Sequence, residues 1–382
     1  MPSFMASFAN ESLLLSLLRG EAQSPSPGAI AEPSAFVDLC RRHRVASLAY
    51  QAASRREGLL PPETLAALRE TTRKTLVDNL ILLKALRDLA SALTEEGTGF
   101  LLLKGASLLG FLYPEIQQRP MSDLDILIRE KDWPKVAETL GGRGYRLPSD
   151  GEERYYQEFW YHQLVETPGS PSCYVEFHWN LESVERSRID PDELVRDALA
   201  CEIEGERFLR LCDDHLLLHL AVHLAHHHCD PSLHWVEDLR RLLALGSLDW
   251  DRVKSTARMW GVENCLAYSL GYVEKVFPGT VPEPARRFAF SPLRSAILGG
   301  LRTENPVLPH RPLGVSPLRH VVSMSLLDRW SDVGRYVAVH SVSRIARALG
   351  VSRVKPPGRS GAGKSPHPAG REGGIRSGPS GR

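Results

Sequence analysis

Residues 123–129, Asp-Leu-Asp-Ile-Leu-Ile-Arg, constrain the fold of this chain more than any other segment. The short apolar run after a polar loop predicts a buried β-strand. Side chains two positions apart on a strand point to the same face, so Asp123 and Asp125 project together while the apolar residues between and after them face the core. Two carboxylates this close repel each other, and a bound cation removes that repulsion. The run therefore predicts a strand that carries a candidate cation site.

The cation that best suits such a pair is Mg²⁺. It prefers oxygen ligands and commonly binds one or two carboxylates together with substrate phosphates. A pair of such ions can hold the attacking and leaving oxygens during displacement at phosphorus. Alone, an Asp-x-Asp pair is weak evidence, because solvated carboxylates at sheet edges are more common than metal sites. The neighbouring motifs must therefore support it.

The first supporting motif is Gly-Phe-Leu-Leu-Leu-Lys-Gly at 99–105. It predicts a buried strand, a glycine turn and then a helix at 106–113. The backbone N–H groups at a helix N-terminus favour an anion. Gly105 permits close approach of a phosphate, and Lys104 supplies a positive charge. The alternative is a tight turn with a solvated lysine.

Arg119 and Glu176 are further candidates. Arg119 precedes the aspartate pair by four residues, and its planar guanidinium suits a phosphate or a carboxylate; a surface arginine is the alternative. Residues 174–179 predict another strand, on which Glu176 shares a face with His178. A third carboxylate there could complete a metal site or accept a proton from a substrate. An edge residue with no such role is an equally weighted alternative.

The chain has 382 residues, enough for two or three domains. We predict an α+β protein: an N-terminal helical segment at 1–96, an α/β core at 97–211 and a C-terminal helical domain at 212–350. Further strands of the core are predicted at 163–167 and 202–211. Residues 351–382 are rich in Gly, Pro, Ser and basic side chains and cannot bury a core, so we expect a disordered tail.

Charge and composition narrow the class of protein. The formal net charge of +1 gives no general attraction to nucleic acids or anionic membranes. No apolar stretch reaches the ~18 residues that a membrane span needs. Six scattered cysteines and an N-terminus without a basic leader are typical of a cytoplasmic protein with free thiols. We therefore expect no membrane insertion and no specific nucleic-acid partner; non-specific binding through the basic tail stays open.

A histidine-rich helix is predicted at 213–228. His215, His219 and His223 lie four residues apart and share one helix face. Neutral imidazole is a common ligand of zinc and nickel, so a second metal site is one interpretation. Histidines packed against the sheet are the plainer one. The sequence does not decide between them.

Together these motifs resemble the uncharacterised bacterial nucleotidyltransferase family, which belongs to the DNA polymerase beta-like superfamily. The resemblance covers about residues 70–245 and is carried by Leu102-Leu103-Lys104-Gly105-Ala106, Leu112-Tyr113-Pro114, Arg119, Ser122-Asp123-Leu124-Asp125-Ile126-Leu127 and Val175-Glu176-Phe177-His178-Trp179. It implies a minimal nucleotidyltransferase fold, a mixed sheet flanked by helices.

The resemblance also implies roles for individual residues. Asp123, Asp125 and Glu176 would bind Mg²⁺ (or Mn²⁺) and act in catalysis. The residues expected to border the nucleotide are Lys104, Gly105, Ser107 and Arg119. Many superfamily members carry Gly-Ser at this turn, so Ser107 is the hydroxyl that corresponds. Second-tier candidates, expected near the substrate cleft, are His178, His223 and Asp238.

The implied reaction is transfer of a nucleoside monophosphate from an NTP, with ATP as the expected donor, to an acceptor. The acceptor is unknown and could be a small molecule, a peptide or a protein. The alternative is a catalytically inactive nucleotide-binding or scaffold protein that retains the fold.

Overall fold

The computed structural model describes residues 2–21, 32–148, 161–227, 232–291, 294–295 and 317–338. It contains a six-stranded mixed sheet surrounded by helices, which confirms the predicted α+β class. The expected disordered tail at 351–382 and the last residue of the predicted helix 213–228 lie outside the described residues. No helix in the described part is long and apolar enough to cross a membrane.

The N-terminal part is helical, as predicted. Its helices are α1 (Pro2–Arg19), α2 (Pro33–Arg42), α3 (Ala46–Ser54) and α4 (Pro62–Glu95). Helix α4 begins at a proline, whose missing N–H is harmless in the first turn. Five leucines in its second half are buried: Leu82, Leu83, Leu86, Leu89 and Leu93. These side chains pack the long helix onto the rest of the core.

The strands are β1 (Leu101–Leu103), β2 (Leu124–Leu127), β3 (His162–Glu166), β4 (Tyr174–His178), β5 (Leu199–Ile203) and β6 (Glu206–Arg210). Their order in the sheet is β3-β4-β2-β1-β6-β5. The pairs β2–β4 and β1–β6 are parallel, and the other three pairs are antiparallel. The strand with the Asp-x-Asp motif is therefore central, with β1 on one side and β4 on the other.

Two local predictions were wrong. The helix predicted at 106–113 is instead α5 (Lys104–Leu108), and the chain then turns at Gly110, where φ is +71°. A side chain at Gly110 would lie 2.4 Å from the carbonyl oxygen of Glu202, so the close approach requires glycine. The strand predicted at 202–211 is a hairpin of β5 and β6, because Glu204 and Gly205 both have positive φ and form the tight turn between them.

Short elements connect the strands: 3₁₀ turns at Ile116–Gln118 and Glu130–Asp132, α6 (Trp133–Gly142) and α7 (Pro191–Arg196). The C-terminal helices are α8 (Asp213–His227), α9 (Leu233–Ala244), α10 (Trp250–Trp260), α11 (Glu263–Val276) and α12 (Pro317–Leu326), with a 3₁₀ turn at Glu283–Arg287 and a helical segment at 330–338. Buried apolar side chains form one cluster from Leu13 to Leu326. The predicted domain boundaries stay a prediction.

Candidate active site

The site is built on the central strands. Asp125 in β2 lies directly opposite Leu103 in β1 and Glu176 in β4. Cross-strand neighbours project to the same face of a sheet, so the carboxylates of Asp125 and Glu176 share one face. The apolar residues beside them, Leu124, Ile126 and Phe177, are fully buried on the other. The alternation of polar and apolar residues thus fixes the direction of both carboxylates.

Lys104 brings a positive charge to this pair from the end of β1. Its backbone has φ of +44°, a left-handed conformation that costs a residue with a side chain about 1 kcal/mol or more. Its Nζ donates to Asp125 Oδ1 at 2.6 Å and lies 3.6 Å from Glu176 Oε2. The turn after β1 is therefore shaped so that the ammonium contacts both carboxylates.

His178 completes the group. It follows Glu176 by two residues on β4, is 1% exposed, and its Nε2 lies 2.9 Å from Asp125 Oδ1 and 3.4 Å from Glu176 Oε2. One ligand atom from each of Asp125, Glu176 and His178 lies within 4.8 Å of the other two. The sequence named His178 only as a second-tier candidate, whereas the structure brings it into the centre.

Asp123 is not in this group of three. It precedes β2, is half-buried, and its Oδ1 accepts a hydrogen bond from Ser122 Oγ at 3.1 Å. Burial and then repulsion from Asp125 and Glu176 raise the pKa of Asp123 to about 7, against the attraction of Lys104 and Arg44. Asp123 is thus electrostatically coupled to the site although its oxygens lie outside the closest cluster.

The charged groups of the site also shift one another's pKa values. Burial disfavours the Lys104 ammonium, but Asp125 and Glu176 outweigh it and hold the lysine pKa above its usual range. Burial opposes ionisation of Glu176, but Lys104, His162 and His178 hold its pKa well below the usual range. Burial and Lys104 disfavour the His178 imidazolium, but hydrogen bonds to Asp125 and Glu176 raise its pKa. The site therefore holds a charged lysine beside an ionised Glu176.

The donor set fits a divalent cation. Carboxylate oxygens, here those of Asp125 and Glu176, are the ligands that Mg²⁺ and Mn²⁺ prefer. Asp125 and Glu176 already attract the Lys104 ammonium between them. Burial and then repulsion from Asp125 and Glu176 raise the pKa of Asp123, and a bound cation would offset that repulsion. Because Asp125, Glu176 and His178 are the closest, these three would contact such an ion most directly.

The turn residues Gly105 and Ser107 have structural roles. A side chain at Gly105 would lie 3.0 Å from Cγ of Met121, so glycine lets the turn pack closely against the loop before β2. Ser107 is fully buried, and its hydroxyl donates to the carbonyl oxygen of Lys104 at 2.8 Å. Their expected contacts with a nucleotide stay predictions.

Arg119 is held inside the protein by Asp238. Its Nε and Nη2 donate to the two carboxylate oxygens of Asp238 at 2.8 and 2.7 Å, and Tyr113 Oη donates to the same carboxylate at 2.7 Å. Arg119 is 5% exposed and Asp238 is fully buried. This bidentate pair joins the loop before β2 to α9. The sequence assigned Arg119 to the nucleotide and Asp238 to the cleft, and both roles stay predictions.

Three residues near the site were missed from the sequence: Arg44, Tyr161 and His162. His219 was named only as a possible ligand of a second metal site. Arg44, at the turn between α2 and α3, has φ of +56°, and Asp123 and Asp238 act on its guanidinium. Burial, followed by repulsion from Arg119, lowers its pKa to about 10. The sequence around Arg44 contains no motif that predicts a left-handed backbone, so Arg44 was not recognised as a candidate.

Tyr161 immediately precedes β3 and His162 is its first residue, and both rings lie close to the ring of His178. His162 lies opposite His178 in the β3–β4 pairing, with ring centroids 5.0 Å apart, and the Tyr161 ring lies 5.8 Å from that of His178. Burial lowers the pKa of His162 to about 4, so this imidazole is neutral at pH 7. The strand was predicted from 163, one residue too late to include His162.

The described histidines of α8 differ in their surroundings. His219 is 2% exposed, and burial together with Lys104 and His178 holds its pKa well below the usual range. His223 packs edge-on against Trp235, with ring centroids 5.4 Å apart. His226 Nε2 lies 3.2 Å from Cys265 Sγ. Electrostatic contact with the site therefore runs through His219, one turn before His223, whose second-tier role stays a prediction.

Comparison with known proteins decides the family. Residues 30–278 match the family described as "Uncharacterised nucleotidyltransferase". The chain belongs to this nucleotidyltransferase family. The match extends beyond the sheet into the helices on both sides.

One solved structure, described as an antigenic nucleotidyltransferase-like protein from Paracoccidioides brasiliensis, is 12% identical to this nucleotidyltransferase family member. The similarity covers 45% of this chain and 77% of that one, with a TM-score of 0.28. Among curated proteins, none matches.

Proposed function

We propose that this protein is a divalent-metal-dependent nucleotidyltransferase that transfers a nucleoside monophosphate from an NTP to an acceptor. The observation that carries the proposal is the register of β2 and β4, which sets Asp125 beside Glu176 with Lys104 Nζ against both. Membership of the nucleotidyltransferase family supports the reaction class. ATP is the expected donor.

In this reaction an acceptor oxygen forms a bond to the α-phosphorus and loses its proton. The bond between the α- and β-phosphates breaks, and pyrophosphate leaves. Mg²⁺ or Mn²⁺, when bound, would neutralise charge on the phosphate oxygens. The protein's own contribution would be positioning and electrostatic stabilisation, which dominate phosphoryl-type transfer.

Lys104 is suited to the triphosphate. Its raised pKa keeps the ammonium charged at neutral pH, so it cannot serve as a base but can contact phosphate oxygens. Arg44 is the second cation that we assign to the nucleotide, because it faces Asp123 and is not held in a bidentate ion pair as Arg119 is. We propose that Gly105 and Ser107 keep the turn in place beneath the phosphates.

Asp125 and Glu176 are proposed as metal ligands. A carboxylate whose pKa is held well below its usual range is a weak base, so Glu176 is better suited to bind a cation than to take the acceptor proton. Asp123, with a pKa of about 7 in the metal-free protein, would become a ligand once a cation lowers that pKa, and the acceptor proton would then pass to water. His178 would orient Asp125 through their 2.9 Å hydrogen bond.

The function is tested by incubating the protein with labelled ATP, Mg²⁺ and a cell extract and finding which molecule becomes labelled. The D125N variant should lose labelling, whereas D78N, which removes an exposed aspartate of α4, should keep it. Labelling that survives in D125N would reject the site. ATP binding without transfer to any acceptor would instead support the inactive nucleotide-binding or scaffold protein.

A further inference from the structure

A second group of metal-ligating side chains lies outside the site described above. Glu193, Asp197 and His215 each place one ligand atom within 4.8 Å of the other two. Glu193 lies in the short helix α7, Asp197 follows its last residue, and His215 lies in the first turns of α8. Neither carboxylate belongs to the nucleotidyltransferase motifs.

The geometry of α7 directs both carboxylates to one side. Glu193 and Asp197 are four residues apart, so their side chains lie on the same helix face. The Asp197 backbone N–H donates to the Glu193 carbonyl oxygen, which keeps the last turn helical up to that residue. The two acids therefore face α8 together.

His215 is the unusual member of this group. It is fully buried, and neither ring nitrogen has a hydrogen-bond partner among the described residues. A buried polar group without a partner costs about 1–3 kcal/mol. One face of the ring packs on Trp260, with centroids 5.1 Å apart, but this contact satisfies neither nitrogen. The imidazole thus carries an unused ligand atom next to two carboxylates.

The carboxylates of Glu193 and Asp197 have oxygen atoms that are available to a cation. Within the described residues, no hydrogen bond or ion pair engages the Glu193 side chain. Arg252 donates to Asp197 Oδ2 at 2.6 Å, whereas Oδ1 has only Arg196 Nε at 3.6 Å. Asp197 can therefore keep its ion pair with Arg252 and offer Oδ1 to another cation.

We propose that Glu193, Asp197 and His215 bind a divalent transition-metal cation, with Zn²⁺ as the ion that best suits the ligands. One imidazole nitrogen and two carboxylate oxygens form a set that Zn²⁺ accepts and that Mg²⁺, which prefers oxygen only, does not. Ligand atoms around tetrahedral zinc lie about 3.4 Å apart, so the three side chains, within 4.8 Å of one another, need to close by at most about 1.4 Å. Rotation of the half-buried Glu193 side chain can supply most of that movement.

A metal bound here ties α7 to α8. His219, whose pKa is lowered by burial and then by Lys104 and His178, lies one turn after His215 on the same helix. The cation would therefore fix the helix that carries His219, while taking no part in the chemistry. Since it binds only the folded protein, it raises the thermal midpoint of unfolding.

The test uses the full chain, freed of metal with a chelator and titrated with Zn²⁺ in excess Mg²⁺. Because the group of Asp125, Glu176 and His178 also contains an imidazole, Zn²⁺ bound there is measured separately in the double variant E193Q/H215Q. Beyond that amount, the wild-type protein should bind one equivalent of Zn²⁺ with a rise in thermal midpoint. E193Q should weaken that binding at least about tenfold, since it loses one of three protein ligands. H215Q should abolish it.

The matched control is D192N, which removes an exposed carboxylate from the neighbouring position of α7 and should bind Zn²⁺ as the wild type does. Because Glu193 is half-buried, E193Q tests the site even where H215Q disturbs the packing on Trp260. Equal Zn²⁺ affinity in the wild type and E193Q, or no Zn²⁺ binding by the folded wild type, would overturn the proposal. The readout requires no nucleotidyltransferase activity.

Discussion

Asp125 and Glu176 are direct neighbours across the parallel pair of β2 and β4, although 51 positions separate them in the sequence. Lys104 Nζ lies against both carboxylates, at 2.6 and 3.6 Å. Two ionised carboxylates side by side are costly without a compensating positive charge. The lysine supplies that charge in the metal-free protein, and this arrangement is the basis of the predictions below.

Removing the lysine charge should make the protein depend on metal for stability. In K104M, Asp125 and Glu176 lose the ammonium that contacts both of them, and breaking such a buried ion pair costs about 3 kcal/mol. Millimolar Mg²⁺ should restore part of that loss, so the shift in thermal midpoint caused by Mg²⁺ should be larger in K104M than in the wild type. Differential scanning calorimetry with and without Mg²⁺ measures both shifts. Equal shifts of the thermal midpoint in the two proteins would mean that the Lys104 ammonium and the metal do not compensate the same carboxylates.

Metal affinity should depend on pH through Asp123. Its pKa of about 7 in the metal-free protein means that the carboxyl is partly protonated at pH 7. A metal ligand must be deprotonated, so binding below pH 7 must displace a proton, and affinity should fall up to about tenfold per pH unit there. Above pH 8 Asp123 is fully deprotonated, so it no longer makes the metal affinity depend on pH. Calorimetric titration with Mn²⁺ between pH 6 and 8 measures this dependence, and D123N should make the affinity less dependent on pH.

Arg44 should affect nucleotide binding more than stability. R44Q removes a guanidinium that faces Asp123 but is not fixed in a bidentate pair. We expect KM for the NTP to rise about tenfold, the equivalent of about 1.4 kcal/mol, with a smaller change in kcat. R41Q, an exposed arginine of α2, is the matched control. A fall in kcat with unchanged KM would instead indicate contact with the transition state alone.

The Arg119–Asp238 pair should act mainly on folding. Both groups are buried, and removing one partner leaves the other charge unpaired at a cost of about 3–5 kcal/mol. D238N should therefore lower the free energy of unfolding in urea by that amount. The double variant R119M/D238N should lose less than the sum of the two single variants. Additive losses would show that the two side chains do not stabilise each other.

Much of the site was predictable because its parts are local. Short apolar runs predicted β1 and β2, and the alternation around Asp125 predicted which face it occupies. The strand order was not predictable from residue patterns alone, since the parallel pairing of β2 with β4 joins segments far apart in the chain. The inclusion of His178 in the group and the place of Asp123 outside it follow from that register and from the exact start of β2 at Leu124.

Other features depend on backbone conformations that the sequence does not reveal. Three residues other than glycine have positive φ: Arg44, Lys104 and Glu204. Because none of them is a residue type typical of such turns, the sequence did not predict the turns that they form. The turn at Glu204 divided a predicted single strand into a hairpin. The helical face shared by His215, His219 and His223 was predicted, but their different surroundings depend on which elements pack against each turn of α8.

Mn²⁺ binding by the wild type, D125N and D78N, measured by electron paramagnetic resonance of the free ion, tests the proposed metal site most directly. The wild type and D78N should bind Mn²⁺, and addition of ATP should tighten that binding. D125N should lose binding by about a hundredfold or more, since it removes a ligand at the centre of the group. Unchanged Mn²⁺ affinity in a folded D125N protein would contradict the assignment of this site to a metal-dependent nucleotidyltransferase.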